Sequence, residues 1–191
     1  MGELNQHNLS EFSCTQFVET GTGIGTGLHY ACKFPFTALY SIEIVDDLAE
    51  QATNKFATDP RVKIYNNNSL DGLKEIIPLL SEEPTLFWLD AHFPGADFKF
   101  NDYHHLADKK HLHMPLAEEV ATILSLRDTS KDCFIIDDLR IYEQGSYELG
   151  NWELYDQYGG GGLGFLDGLK ETHSLTRDYR HQGFAILRPV K

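Results

Sequence analysis

Apolar runs and amphipathic segments alternate along this 191-residue chain. Short runs in which nearly every residue is apolar predict strands that are buried on both faces, as in a parallel sheet. Five runs have this character, and a sixth near the C-terminus predicts a last strand. The six runs span residues 16–20, 38–44, 62–66, 85–91, 132–138 and 183–190.

The segments between these runs have the period of amphipathic helices. Leu48, Ala52 and Phe56 recur at steps of four residues, and similar apolar stripes cover residues 70–80 and 115–126. Strands that alternate with helices indicate an α/β fold with a doubly wound sheet. We expect a single domain over residues 1–191, because this length suits one hydrophobic core and is short for two.

Three segments fall outside this alternation. Residues 1–14 predict an N-terminal tail, residues 95–113 are polar and aromatic, and residues 155–168 include four consecutive glycines. Compact domains seldom keep long irregular loops unless these serve as lids or binding loops. We therefore expect lid loops at 95–113 and 155–168.

The composition narrows the range of partners. Sixteen basic and 29 acidic residues give a net charge of −13, which disfavours nucleic acid as a partner because it repels phosphate. No apolar run approaches the roughly 18 residues of a membrane-spanning helix, so we expect no membrane partner. Three widely separated cysteines are typical of a reduced, cytoplasmic protein. A homo-oligomer is compatible with the sequence.

A glycine-rich stretch directly follows the first predicted strand. Its alternating glycines are Gly21, Gly23, Gly25 and Gly27. In doubly wound folds, a glycine turn between strand and helix lies at the carboxyl edge of the sheet, where cofactors bind. The dinucleotide fingerprint GxGxxG fails here, because Thr26 or Leu28 occupies the position of its third glycine, depending on the register.

The same stretch resembles the ExGxGxG signature of class I S-adenosylmethionine-dependent methyltransferases. It matches this signature at Glu19, Gly21, Gly23 and Gly25. The resemblance implies a Rossmann-like, mostly parallel, seven-stranded sheet with an antiparallel C-terminal strand.

The resemblance also implies contacts with the cofactor. Glu43 ends the second strand and would accept hydrogen bonds from the ribose hydroxyls, and Ser69 would lie near the adenine. Asn67 and Asn68 stand where small O-methyltransferases usually have Gly-Asp. The other predicted contacts of the cofactor are Glu19, Gly21, Thr22, Gly23, Gly25, Ile44 and Asp90.

Acidic residues close the fourth and fifth predicted strands. Asp90 follows one, and Asp137 with Asp138 follows the other. If these strands are neighbours, the carboxylates emerge at the same edge as the glycine turn, where oxygen ligands suit Mg²⁺ or another divalent cation. One of the acids could instead cap a helix, and Asp138 could pair with Arg140.

The placement of these acids resembles that in the metal-dependent O-methyltransferases that act on catechols and sugars. Those enzymes carry Asp after strand four and Asp-Asp or Asp-Asn after strand five. The segments 89–95, 115–120 and 135–140 are also similar to the LDxHxxGG, PxxxEL and LIDDxR motifs of a group of bacterial methyltransferase-like proteins. His92 lies two residues after Asp90, and the ordinary pKa of histidine suits a general base. We assign His92 and Asp90 as catalytic residues.

Together these features predict an S-adenosylmethionine-dependent methyltransferase. Its substrate would be a small hydroxylated metabolite or sugar, methylated on oxygen with the help of a divalent cation. Two alternatives stay open. A nicotinamide-dependent oxidoreductase could use Glu43 for its own ribose, and a catalytically silent binding protein could keep the fold without the reaction.

Overall fold

A seven-stranded sheet forms the centre of the computed structural model, which describes residues 3–93, 110–158 and 161–190. The strands are β1 Gln16–Thr20, β2 Ala38–Glu43, β3 Val62–Asn66, β4 Thr85–Leu89, β5 Cys133–Ile136, β6 His173–Asp178 and β7 Phe184–Pro189. Their order is β3-β2-β1-β4-β5-β7-β6. Strand β7 is antiparallel to β5 and β6, whereas the pairs among β1 to β5 are parallel. The predicted sheet is therefore confirmed.

Helices connect the parallel strands. Within the described residues the α-helices are α1 Thr26–Ala31, α2 Asp46–Phe56, α3 Ser69–Ile76, α4 Lys110–His113, α5 Leu116–Leu126 and α6 Tyr155–Tyr158. The three amphipathic segments of the sequence correspond to α2, α3 and α5. In α3 the side chain of Asn68 accepts a hydrogen bond from the backbone N–H of Asp71 and so caps the helix.

Apolar side chains cover both faces of the sheet. Neighbouring residues of a strand point to opposite faces, so Phe17 and Val18 are both buried but belong to different apolar layers. Val18 lies in the layer that contains residues of α3 and α5, and Phe17 lies in the layer that contains residues of α1 and α2. This double covering explains the nearly continuous apolar strands of the sequence.

The N-terminal segment differs from the expected tail. Residues Leu4–Gln6 and Leu9–Phe12 form 3₁₀ turns, and the side chains of Leu4, Leu9 and Phe12 are buried in the apolar layer beside α1. The polar residues between them conceal this apolar set in the sequence. Residues 3–12 are therefore part of the domain.

The two edges of the sheet also differ from the expectations. Strand β3 was predicted to be buried on both faces, but it is partly exposed because it lies at one edge. Strand β6 occupies the other edge, and its polar sequence HSLTRD did not appear among the apolar runs. Edge strands contact the core on fewer sides, so their sequences carry a weaker apolar signal.

The two predicted lid loops are only partly described. Residues 95–109 of the first lie outside the described residues, and its end is helix α4. The second includes α6 and a 3₁₀ helix at Gly164–Leu169, whose Leu166 and Leu169 are buried, while residues 159–160 lie outside the described part. A closing movement of either loop stays a prediction.

Two further observations concern the cysteines and the helices. Cys14, Cys32 and Cys133 are free thiols. Among the helices of the described segments, none has both the length and the apolar character needed to cross a bilayer.

Candidate cofactor and cation site

The carboxyl ends of four neighbouring strands form one row. Thr20 of β1 pairs with Ile42 of β2 and with Leu89 of β4, and Leu89 pairs in turn with Ile136 of β5. The residues that follow this row are Gly21, Glu43, Asp90 and Asp137. Because neighbouring strands lie about 4.8 Å apart, these four positions span roughly 14 Å of the sheet edge. The structure thus brings the glycine turn and the acidic residues to the same edge.

The glycine turn lies directly against the end of β4. Gly21 has a positive φ of 81°. A Cβ atom at this position would overlap the carbonyl oxygen of Asp90 and lie 2.9 Å from its carbonyl carbon. Only glycine combines this backbone conformation with so close an approach.

The backbone N–H groups of the turn bind mainly to the protein itself. Those of Gly21 and Thr22 donate to the carbonyl oxygen of Ile42, at 2.9 and 3.1 Å. The N–H of Gly23 donates to Oε2 of Glu43 at 2.7 Å. The turn is therefore fixed to the end of β2, and its glycines act here chiefly by allowing close backbone contact.

Glu19 and Thr22 support the turn from inside the protein. The Ser41 hydroxyl donates to Oε2 of Glu19 at 2.5 Å and lies 2.6 Å from the Thr22 hydroxyl. Burial raises the pKa of Glu19 to about 8, and the nearby charge of Glu43 acts in the same direction. Gly27 also lies against this carboxyl group, since a Cβ there would overlap Oε1 of Glu19. Glu19 and Thr22, both predicted to contact the cofactor, are buried, so their direct contact with a ligand stays a prediction.

Glu43 lies at the end of β2 with its carboxylate held in place. Gly23 binds one oxygen, and the backbone N–H of Val45 donates to the other at 2.8 Å. Burial raises the pKa of Glu43, against the effect of these hydrogen bonds. Each carboxylate oxygen can accept a second hydrogen bond, as a ribose diol would require. Ile44, the next residue, is half-buried.

Two of the three predicted cation ligands, Asp90 and Asp137, form a group of potential ligand atoms together with His92. Asp90, His92 and Asp137 each place one potential ligand atom within 4.8 Å of the others. Asp137 is 2% exposed, and neither of its carboxylate oxygens has a hydrogen-bond partner among the described residues. Burial raises the pKa of Asp137 well above its ordinary value, and the charges of Asp90 and Asp138 add to this effect. A buried carboxylate in this state would be stabilised by a cation.

Asp138 contacts side chains instead of joining this group. Its Oδ2 lies 3.3 Å from Nε2 of His92, and its Oδ1 accepts from Nε of Arg140 at 2.9 Å. Burial alone would raise the pKa of Asp138, but these two partners hold it below the ordinary value. The pairing with Arg140 that the sequence left open is therefore present.

His92 lies between the acidic groups. Its Nδ1 is 3.6 Å from Oδ1 of Asp90, on the side of the ring away from Asp138. Burial opposes protonation, but the close contact with Asp138 and the charges of Asp138 and Asp137 outweigh it, so the pKa of His92 is raised. The predicted catalytic pair of His92 and Asp90 is thus brought together at the sheet edge.

Sequence reasoning missed one acidic residue of this region, Glu119 of α5. It is 1% exposed, and within the described part of the chain its Oε1 has no hydrogen-bond partner. It lines a cavity of about 10 Å³ together with His92, Asp137 and Tyr142. Burial raises the pKa of Glu119 to about 7, although the nearby hydroxyls of Ser69 and Thr20 act in the opposite direction. Ser69, predicted near the adenine, therefore also influences the pKa of Glu119.

A signal for Glu119 is present in the sequence. Leu116, Val120 and Ile123 form the buried stripe of α5, and Glu119 occupies a position of this same stripe. A carboxyl group at a position that otherwise requires an apolar side chain is typical of functional sites.

Solved structures similar to the whole chain place this arrangement in a known fold. No protein-family model and no curated protein sequence matches the chain. The N-methyltransferase NodS from Bradyrhizobium japonicum WM9 superposes with a TM-score of 0.58 at 11% identity, covering 98% of this chain and 93% of NodS. An O-methyltransferase from Bacillus cereus in complex with SAH gives a TM-score of 0.56 at 14% identity, with 95% and 77% covered.

This chain has the fold of class I S-adenosylmethionine-dependent methyltransferases. An rRNA methylase from Streptococcus thermophilus is also similar, with a TM-score of 0.55 at 10% identity and 100% and 99% of the two chains covered. The similar proteins thus include N-, O- and rRNA methyltransferases. The fold therefore leaves the acceptor to be argued from the site.

Proposed function

We propose that this protein transfers a methyl group from S-adenosylmethionine to a hydroxyl of a small molecule, with a divalent cation at the acceptor side. The observation that carries the proposal is the row of strand ends, which has the glycine turn and Glu43 on one side and the unpartnered carboxylate of Asp137 on the other. One edge of the sheet then serves both the donor and the acceptor.

The cofactor would lie over the glycine turn, with its ribose at Glu43. Both oxygens of this carboxylate are fixed by backbone N–H groups, so it would meet the ribose diol without reordering. Hydrogen bonds among Glu19, Thr22 and Ser41 hold the turn in position from its buried side. Ile44, Ser69 and the main chain at Asp90 are the remaining proposed contacts.

The acceptor side is formed by Asp90 and Asp137, whose chemistry fits a divalent cation because Asp137 is buried and lacks a partner. A bound cation would supply Lewis-acid activation, lowering the pKa of the acceptor hydroxyl and fixing its direction. The acceptor oxygen then bonds to the methyl carbon as the bond from carbon to sulfur breaks. The hydroxyl proton leaves to a base, for which Nδ1 of His92 and Oε1 of Glu119 are candidates.

The wider setting belongs to the same proposal. The net charge of −13 favours a small acceptor over a nucleic acid. Three free thiols favour a cytoplasmic location, and a homo-oligomer is compatible with it.

Calorimetry with S-adenosylmethionine and, separately, with NAD tests the cofactor. We expect S-adenosylmethionine to bind and NAD to give no signal. Replacing Glu43 by Gln should weaken S-adenosylmethionine binding at least about tenfold, since a hydrogen bond to a charged group contributes about 1.5–3 kcal/mol. Replacing the exposed Glu50 of α2 by Gln is the matched control and should leave the affinity unchanged.

Activity distinguishes an enzyme from a silent binding protein. The wild-type protein is incubated with labelled S-adenosylmethionine, catechol and sugar acceptors, and Mg²⁺ or Mn²⁺, and methylated products are measured by mass spectrometry. Product formation that disappears with chelator supports the proposal. Binding of NAD in place of S-adenosylmethionine would favour the oxidoreductase and refute it.

A further inference from the structure

We propose that Nδ1 of His92 is itself a ligand of the cation and that Asp138 is the carboxylate that orients its ring. This inference rests on the divalent cation of the proposed function. It changes the ligand set from carboxylates alone to two carboxylates and one imidazole. Such a set favours Mn²⁺, Co²⁺ or Zn²⁺ over Mg²⁺, because imidazole suits transition metals and Mg²⁺ prefers oxygen.

The two ring nitrogens of His92 face different partners. Nε2 lies 3.3 Å from Oδ2 of Asp138, whereas Nδ1 lies 3.6 Å from Oδ1 of Asp90. Histidines that bind metals usually donate their other ring N–H to a carboxylate, which fixes the tautomer and the direction of the free nitrogen. Asp138 is in turn held by Arg140 at 2.9 Å. The ring is therefore oriented as a metal-binding imidazole would be.

The spacing of the potential ligand atoms is close to that of a metal site. One atom from each of Asp90, His92 and Asp137 lies within 4.8 Å of the others. Ligands at about 2.1 Å from a shared ion lie roughly 3 to 4 Å apart. An approach of these atoms by about 1 Å would complete the set.

Asp137 gives the independent reason for a cation here. It is 2% exposed, neither of its oxygens has a partner in residues 3–93, 110–158 and 161–190, and it lines the cavity of about 10 Å³ that His92 also lines. This volume is about that of one water-sized sphere, so it admits one small ligand, such as a water molecule of the ion's coordination shell. Buried carboxylates without hydrogen bonds are otherwise costly.

The inference decides between two roles of one nitrogen. Because Nε2 faces Asp138, Nδ1 can bind a metal or accept a proton but cannot do both at once. As a ligand, His92 would not be the base of the methyl transfer, and Oε1 of Glu119 would be the remaining candidate of the two.

Metal binding without cofactor tests the inference. Protein freed of metal with chelator is titrated by calorimetry with Mg²⁺, Mn²⁺ and Co²⁺. We expect Mn²⁺ and Co²⁺ to bind at least about tenfold more tightly than Mg²⁺. Replacing His92 by Ala should weaken Mn²⁺ binding about tenfold or more, and Asp138→Asn should weaken it about 10- to 100-fold. Replacing the exposed His29 of α1 by Ala is the control and should change nothing.

A spectroscopic measurement on the wild-type protein keeps the test independent of how the variants fold. Electron spin echo modulation of bound Mn²⁺ should contain a ¹⁴N signal from the imidazole. The inference is overturned if the wild type binds no divalent cation, if the ¹⁴N signal is absent, or if folded His92→Ala binds Mn²⁺ as the wild type does. S-adenosylmethionine binding is measured separately, so failure here and failure of the proposed cofactor remain distinguishable.

Discussion

Replacing Glu119 by Gln should reduce the pH dependence of folding stability. Burial raises the pKa of this carboxyl group from 4.5 to about 7. Below about pH 4.5 it is protonated in both the folded and the unfolded chain. As the pH rises above 4.5, the unfolded chain loses its proton first, so the unfolded state gains stability until the folded protein also ionises near pH 7.

The size of the effect follows from the two pKa values. The difference between 4.5 and about 7 corresponds to about 3 kcal/mol. We therefore expect this one group to lower the free energy of unfolding by about 1–3 kcal/mol between pH 5 and pH 8. Domains are typically stable by about 5–15 kcal/mol, so the change is measurable. The pKa of Glu19, raised to about 8, acts in the same direction. Because Glu19 also contributes, the stability of each variant must be compared with that of the wild type at the same pH.

Urea unfolding followed by circular dichroism at pH 5, 6, 7 and 8, with chelator present, measures the effect. The variants are Glu119→Gln and Glu118→Gln, which alters the exposed neighbour on the same helix. Relative to the wild type, the first should become more stable by about 1–3 kcal/mol as the pH rises from 5 to 8. The second should follow the wild-type curve. Parallel curves for the wild type and Glu119→Gln would refute the reasoning.

Three further predictions follow from other contacts. Replacing Gly21 by Ala should destabilise the fold by at least about 2 kcal/mol in thermal unfolding, because its φ is positive and a Cβ would overlap main-chain atoms. Gly164→Ala, where the space is open, is the control and should show no such loss. An equal loss in both variants would contradict this account. Asp137→Asn should raise the melting temperature at pH 8 in chelator, since it removes a buried charge without a partner among the described residues, and it should abolish stabilisation by Mn²⁺. A lower melting temperature in chelator would count against that account. Leu4→Ala should cost about 2–4 kcal/mol in urea unfolding, whereas the exposed Leu79→Ala should cost little, and equal effects would mean that the N-terminal turns do not stabilise the domain.

The central strands and the row of site residues were predictable because their causes are local or follow from simple geometry. Buried parallel strands require continuous apolar residues, and the ends of neighbouring parallel strands meet at one edge of a sheet. Glu43, Asp90 and Asp137 could therefore be assigned to one edge from the sequence. The signature at Glu19 and Gly21 also depends on local spacing alone.

The features that were missed depend on the assembled fold. The buried positions of Leu4 and Leu9 follow from the apolar face that they cover, which no local pattern reveals. Asp138 has a positive φ of 53°, and its contact with His92, unlike the pairing with Arg140, was not anticipated because it follows from how the chain turns after β5. Glu119 becomes part of the acidic region only because α5 packs beside the ends of β4 and β5.

The contact between Gly21 and the main chain of Asp90 has a thermodynamic consequence. The glycine turn and the end of β4 touch without an intervening side chain, so a ligand that displaced one of them would act on the other. Any such displacement makes the two binding equilibria interdependent, and the effect must then be reciprocal, with equal coupling free energies in both directions. We expect metal affinity to change when the nucleoside is bound, by the same factor by which metal changes the affinity for the nucleoside.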